Sequence, residues 1–292
     1  AEIKSAYYNL FLAYKMIDLH QEQQLLLNEF IKISEKKYAL GQSTQQDLLK
    51  AELELEKLHS GRKVLEQDLL ANKIKLNALV NRAGSDPMGK PEEMLYRPFP
   101  FLYDALTQEA FNNQSHLKSA LFDVKKNESI KTLTEKAALP DFMIGLSYWN
   151  IHGDEDQFML MGKMNLPWAF GGTTAGGKYD SKNSKAKLEA EKAMASYNAL
   201  KNETSSEIQI IFTKIKTAEQ LIEHYQKRLI PLAKQSLTSA QIGYQSGKTD
   251  FQNFIESFRT LLDLQMEYYT QLTDYWQQIA MLSPLIGKEI NP

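Results

Sequence analysis

The chain has no cysteine. That excludes a disulfide framework, a Cys-ligated zinc and a thiol nucleophile. It fits an oxidising compartment without requiring one. Long apolar runs are missing too: no stretch of about 18 apolar residues exists, so no transmembrane helix is expected. A β-barrel strand needs only about ten alternating residues and stays open. Charge of one sign is not in excess, with 34 Lys and Arg against 36 Asp and Glu. No basic stripe interleaved with aromatics offers a footprint for nucleic acid. The histidines (His20, His59, His116, His152, His224) are scattered without ligand spacing. Gly171-Gly172 and Gly176-Gly177 lack the Lys-Ser/Thr pair of a phosphate loop. No nucleophile, base and orienting group can be nominated, so no enzyme, cofactor or metal site is expected.

What is present is helix of unusual length. Residues 1–37 carry Ile3, Tyr7, Leu10, Tyr14 and Ile17 at helical spacing. The first residues already read as amphipathic helix, so the chain is expected to start inside an element. After Gly41 a 3–4 rhythm runs through Leu48, Ala51, Leu55, Leu58, Arg62, Leu65, Leu69, Asn72, Leu76 and Leu79. A spacing of 3.5 is a coiled-coil seam. It predicts one helix of about 35 residues, roughly 50 Å long. Pro87, Pro91, Pro98 and Pro100, with Gly84 and Gly89, mark 84–103 as a connector. Helical spacing returns from Asp104 to Ala137. A further run from about Tyr179 to Gly243, interrupted only by Pro231, predicts one helix or two end to end. A second seam follows at Phe254, Phe258, Leu261, Gln265, Tyr268, Leu272, Tyr275, Ile279, Leu282 and Ile286.

Between the helices lie two alternating runs. Phe142, Ile144, Leu146 and Tyr148 fall on one face of the first. Phe158, Leu160, Met164 and Leu166 fall on one face of the second. Asn150–Asp156 is a polar loop between them. The pattern predicts a β-hairpin whose length suits a membrane crossing or a soluble sheet. A lone hairpin is marginal by itself, and a long seam has to be buried against something. Both features call for neighbouring chains.

The chain also repeats itself. Tyr38-Ala-Leu-Gly41 with Asp47-Leu48-Leu49 mirrors Tyr244-Gln-Ser-Gly247 with Asn253-Phe254-Ile255. Glu2-Ile3 aligns with Glu207-Ile208 and Ala13 with Ala218; Leu76 and Leu79 align with Leu282 and Leu285. The offset is 205 before the turn and 206 after it. Gly41 and Gly247 supply the left-handed residue that ends a helix. Ser43 or Thr44, and Thr249 or Asp250, can cap the next. Each unit therefore reads as a helical hairpin with very long arms.

This doubled turn resembles that of the TolC-type outer-membrane efflux family. So do Leu139-Pro-Asp-Phe and Ile144-Gly-Leu-Ser-Tyr148 leading into a strand, and Asn165-Leu-Pro-Trp followed by Gly-Gly leading out. The resemblance implies a mainly α chain of long antiparallel coiled-coil hairpins, with a small β-hairpin contributing to a trimeric transmembrane barrel. Measured against the family's two repeats, the resemblance implies a chain that is N-terminally incomplete, without the first helix and first strand hairpin. The implied organisation is a first-repeat hairpin at 1–83 (turn 38–47), the connector 84–103 and a second-repeat helix at 104–138. Barrel strands at 139–168, a flexible joint at 169–178, a long hairpin at 179–287 (turn 244–250) and a tail at 288–292 follow.

The implied function is a passive exit duct in a tripartite efflux system. Its setting is the outer membrane, with a periplasmic helical tunnel. The implied partners are two further copies, a periplasmic adaptor, an inner-membrane pump and outer-membrane lipid. The two turns form the periplasmic tip, with Tyr38, Gly41, Gly247 and Lys248 in the turns. Asp47 and Tyr244 match the contacts that hold the tip closed. Asn253 and Glu256 occupy the positions six and nine past the second glycine that ring the constriction. A barrel implies that Phe142, Ile144, Leu146, Phe158 and Leu160 face lipid. Met143, Met159 and Met161 then share the lumen face, where thioethers suit soft ions such as Cu(I); flexible packing is the commoner use of methionine. The competing reading is a soluble periplasmic coiled-coil scaffold or adaptor without a barrel.

Overall fold

The computed structural model describes residues 1–137, 139–150, 157–165 and 172–290, with the side chains of 172–179 left aside. Ala138, the polar loop 151–156, residues 166–171 (the rest of the strand-exit motif and the start of the joint) and 291–292 lie outside the described residues. The elements in chain order are α1 (Glu2–Ala39), α2 (Gln45–Leu79), α3 (Tyr103–Asn113), α4 (Ser115–Lys136), β1 (Asp141–Trp149), β2 (Gln157–Asn165), α5 (Gly172–His224), α6 (Ile230–Gln245) and α7 (Phe251–Ile286). A five-residue π-helical turn, Tyr225–Leu229, joins α5 to α6. The described residues are mainly α with one antiparallel two-stranded hairpin.

The chain divides into two units. The first contains Ala1–Gln108 and Glu207–Pro292. Here α1, α2, α6 and α7 share a core built on Leu27, Phe30, Ala51, Leu237, Phe254 and Phe258. Both sequence seams point inward. Ala51, Leu58 and Leu76 of α2 are buried, as are Phe254, Leu272, Tyr275 and Ile279 of α7. Phe30 stacks on Phe254 with ring centroids 3.4 Å apart. A smaller cluster of Ala6, Leu10 and Leu76, with Tyr7 and Tyr14 against it, closes the other end of the α1–α2 pair. The two polar breaks in the α2 seam find local partners. Arg62 pairs with Glu66 one turn on, and Asn72 donates to the carbonyl of Asp68.

The connector is held down more firmly than its proline content foretells. Tyr275 donates its hydroxyl to the Arg97 carbonyl at 2.5 Å. Phe99 is buried; its N–H donates to Glu219 and its carbonyl accepts from Lys216. Burial pushes the Tyr275 phenol up, and the Glu219 carboxylate adds to the shift. Tyr96 is pushed up to about 12 by the same two causes in the same order.

The second unit contains Glu109–Ser206. Leu117, Val124 and Ala186 are buried where α4 meets α5, and Thr204 donates to Gln114 at 3.1 Å in the same layer. Lys201 lies over the Phe111 ring. The hairpin pairs Phe142 with Met164, Ile144 with Gly162, Leu146 with Leu160 and Tyr148 with Phe158.

Three boundaries differ from the sequence reading. The helix expected over 104–138 is broken at Gln114, whose ψ of 125° is extended. Asn112 and Asn113 precede it, and Asn side chains compete with the helical backbone for hydrogen bonds. The helix expected from 179 starts at Gly172 instead, so residues 172–178 of the proposed flexible joint are helical. Extending a helix already nucleated by the Ala-, Lys- and Glu-rich stretch after it is favourable enough to offset weak local propensity. The run ending at Gly243 carries the π turn just before Pro231. A proline lacks the N–H for the i−4 bond, and a wider turn absorbs the misfit.

Candidate functional site

The two helical turns share the same pair of closing backbone hydrogen bonds. At the first, Gln42 N–H donates to the Lys37 carbonyl and Gly41 N–H to the Tyr38 carbonyl. At the second, Lys248 N–H donates to Gly243 and Gly247 N–H to Tyr244. This is the Schellman pattern, which satisfies the last carbonyls of a helix and needs a left-handed residue. Gly41 and Gly247 supply it with φ of 69° and 74°. Thr44 caps α2 and accepts from Asp47 N–H at 3.2 Å, while Asp47 reaches back to the Thr44 N–H. Asp250 caps α7 by accepting from Asn253 N–H.

The side chains at the turns are not alike. Tyr38 is 46% exposed, whereas its repeat equivalent Tyr244 is only 4% exposed. Tyr244 lies between Phe30 and Phe251. Its hydroxyl stands 3.0 Å from Ser43 Oγ, and Ser43 donates to Asp47 Oδ2 at 2.9 Å. Ser43 has a single proton. If it goes to the carboxylate, Tyr244 must donate to Ser43, and the chain runs in one direction from phenol to hydroxyl to carboxylate. Ser34 Oγ stands 3.4 Å from the same phenol. Buried Lys37 donates Nζ to the Tyr244 carbonyl and sits 4.6 Å from the centre of its ring. That is a cation–π distance.

Tyr244 and Asp47, nominated from sequence, are thus joined through Ser43. Lys37 went unnoticed. It belongs to the last turn of α1, one residue before Tyr38, and only its place opposite Gly243 in the repeat sets it apart. Asn253 and Glu256 are exposed and three residues apart on one side of α7, outside this network. Lys248 is exposed in the second turn.

Two turns further along α2 from Asp47 lies a second link that sequence reading missed. Arg259 of α7 forks onto Glu54 of α2: Nε donates to Oε2 at 3.1 Å and the second arm meets Oε1. Lys57 donates to Oε1 at 2.8 Å. Burial works to raise the Glu54 carboxyl, but the hydrogen bonds from Arg259 and Lys57 outweigh it and hold the group below the usual carboxylate range. Nothing in the linear spacing pairs residues 205 positions apart; the repeat alone hints that these two levels coincide.

The hairpin has no core. Phe142, Ile144, Leu146, Phe158 and Leu160 share one face through the strand register and are all exposed, Ile144 to 84%. Among the described residues no helix is long and apolar enough to cross a membrane. No group of three or more His, Asp or Glu suited to a metal ion occurs among them either.

No family model and no curated protein matches the chain. Solved structures do. The outer membrane protein VceC from Vibrio cholerae matches with a TM-score of 0.75 at 18% identity, over 99% of this chain and 69% of that one. The Campylobacter jejuni CmeC outer membrane channel matches at 0.68 and 16% identity, over 100% and 63%. The open-state Neisseria gonorrhoeae MtrE outer membrane channel matches at 0.72 and 13% identity, over 98% and 65%. The fold is the one these outer membrane proteins share. The chain spans about two thirds of their length.

Proposed function

We propose that this chain is a channel-tunnel component of a tripartite efflux system, a passive exit duct in the outer membrane that is gated at its helical tip. The observation that carries the reading is the likeness to outer membrane channels over almost the whole chain. The hairpin supports it. A soluble sheet would bury one face, yet Phe142, Ile144, Leu146, Phe158 and Leu160 are all bare. That favours a barrel in lipid over a soluble scaffold. The α2 helix carries a second row of exposed apolar residues, Leu49, Leu53, Val64 and Leu70, suited to neighbouring copies in a trimer. In this reading 1–83 and 179–287 supply the tunnel hairpins, 84–103 the connector and 139–168 the barrel strands. An inner-membrane pump and periplasmic adaptor would dock near the tip.

The gate we assign has two levels. Lys37, Tyr244, Ser43 and Asp47 tie the second turn to the first, and Glu54–Arg259 ties the hairpins one level higher. Opening requires these links to part. The exposed Glu256, repeated three times around an axis, would place a carboxylate ring at the mouth, with Asn253 above it. Single-channel recording of the full-length gene product, beside Glu256→Gln, tests this. Stable channels whose cation preference falls in the variant are expected. Channels of unchanged selectivity discard the ring, and a protein that stays soluble without detergent and never conducts discards the duct.

A further inference from the structure

The face of the hairpin opposite the apolar one carries three methionines with no packing role. Strand register sets Met143 across from Lys163, Met161 across from Gly145 and Met159 across from Ser147. Methionine ordinarily fills gaps in a core. Here there is no core: every residue of β2 is exposed, and Met143, Met159 and Met161 are 63%, 46% and 50% exposed. Nor are they on the face assigned to lipid. The residues across from two of them are the smallest on the strand, and a Cβ added at Gly145 would meet nothing within 4 Å. The thioethers therefore stand over open space.

Spacing decides what they can hold. Met159 and Met161 are two residues apart on one strand, about 7 Å. Met161 and Met143 are diagonal neighbours across the ladder, about 7–8 Å. Met143 and Met159 are two rungs apart, roughly 14 Å, too far for one ion to bridge. Met161 is common to both close pairs. We infer that Met161 forms two overlapping thioether sites, one with Met159 and one with Met143, for a soft monovalent cation of the Cu(I) or Ag(I) class. That this face lines a lumen rests on the duct reading; the site itself does not.

Neutral, polarisable sulfur selects such ions over Mg(II), Ca(II) or Zn(II), which want oxygen or imidazole. This face presents Asp141 and Asn165 at one end, Gln157 and Trp149 at the other, and Lys163 as its one cation. Lys163 lies directly opposite Met143 and two residues from Met161. Its ammonium disfavours a cation at the Met143 pair, so the ion favours the Met159 pair. Because Met161 serves both, one ion is held per chain, and it moves by exchanging one thioether for the other at Met161. No electron or proton transfer is involved.

The test is a titration of the full-length protein, labelled with methyl-13C methionine, with Ag(I) in chloride-free buffer; Zn(II) is the control. The expected result is a shift of the Met159 and Met161 methyls with a smaller, parallel shift of Met143, saturating at one Ag(I) per chain, and no response to Zn(II). Met161→Leu should abolish the shifts at both neighbours. Met143→Leu should leave the Met159–Met161 pair responsive, and Lys163→Gln should strengthen the Met143 response. No shift of the three methyls at molar excess of Ag(I) overturns the site, as do Met143 and Met159 shifts that survive Met161→Leu. Conductance of the same preparation separates the two readings. A conducting channel with silent methyls sinks the site alone; shifting methyls on a protein that never conducts sink the duct alone.

Discussion

Replacing Arg259 with Met removes a charge but keeps an apolar stem, so it isolates the fork onto Glu54. Glu54 is 9% exposed, while the Arg259 side chain is 49% exposed. Removing one partner of a fully buried pair costs about 3–5 kcal/mol, and an exposed pair contributes about 0–1 kcal/mol. With one end wet and Lys57 still bonded to Glu54, the loss should be about 1.5 kcal/mol. That is roughly a tenfold rise in local opening, since about 1.4 kcal/mol is a factor of ten. Native-state hydrogen exchange of the α2 and α7 amides around these residues reads it directly. A double-mutant cycle with Glu54→Gln should give a coupling of about 1–2 kcal/mol at pH 7. The pH dependence has a fixed sign. The folded carboxyl titrates below its unfolded value of about 4.3, as its bonds to Arg259 and Lys57 overcome the opposing effect of burial. The stabilisation is therefore complete above that unfolded value and is lost as pH falls through the folded one. Coupling at pH 5 should match that at pH 7 and fade below about pH 4. A coupling near zero at pH 7, or one unchanged at pH 3, refutes the assignment.

Tyr244→Phe removes the phenol that links Ser43 and Ser34 and should cost about 1 kcal/mol; in the proposed gate, resting single-channel openings become more frequent than in wild type. Gly243→Ala brings a Cβ to 2.6 Å from Thr249 Oγ1; it should cost about 1–2 kcal/mol by overpacking, and Thr249→Ala should recover much of that in thermal unfolding. Ile144→Lys should weaken assembly into bilayers by about 2–4 kcal/mol if that face meets lipid near the midplane, while Ser147→Lys on the opposite face is tolerated; equal effects would contradict the assigned orientation.

Much of the fold was readable because it follows from period. The 3.5-residue seam of α2 and α7 can be buried only along one line, and it is. The glycine at each turn has one structural use, and φ confirms it. The Asn112–Gln114 break, the π turn before Pro231 and the helical start at Gly172 were harder, because each depends on a balance of about 1 kcal/mol between local propensity and the pull of flanking helix. The site was half legible. Tyr244 and Asp47 stand inside the repeated turn, where pattern draws the eye. Lys37, Ser43, Glu54 and Arg259 are ordinary polar residues on amphipathic helices, and only the packing of α1 and α2 against α6 and α7 brings them together. Side-chain pairing between distant helices has no signature in a single sequence.

The repeat poses its own problem: two turns of the same backbone must behave differently if one is to latch onto the other. The answer lies at one pair of equivalent positions. Lys37 stands where the second repeat has Gly243. Lysine at the first turn reaches across to the Tyr244 carbonyl and ring. Glycine at the second lets Thr249 fold back, its hydroxyl bonding the Ala240 carbonyl at 3.3 Å. Neither residue can take the other's place. A side chain at 243 would meet Thr249. A glycine at 37 would strip a buried carbonyl of its cation and leave Gly247 N–H as its remaining donor. The two tyrosines differ accordingly: Tyr244 is buried among Phe30, Phe251 and the lysine of the other turn, while Tyr38 is bare. A duplicated hairpin supplies two surfaces of matched shape, and a lysine–glycine difference makes one the latch and the other the seat.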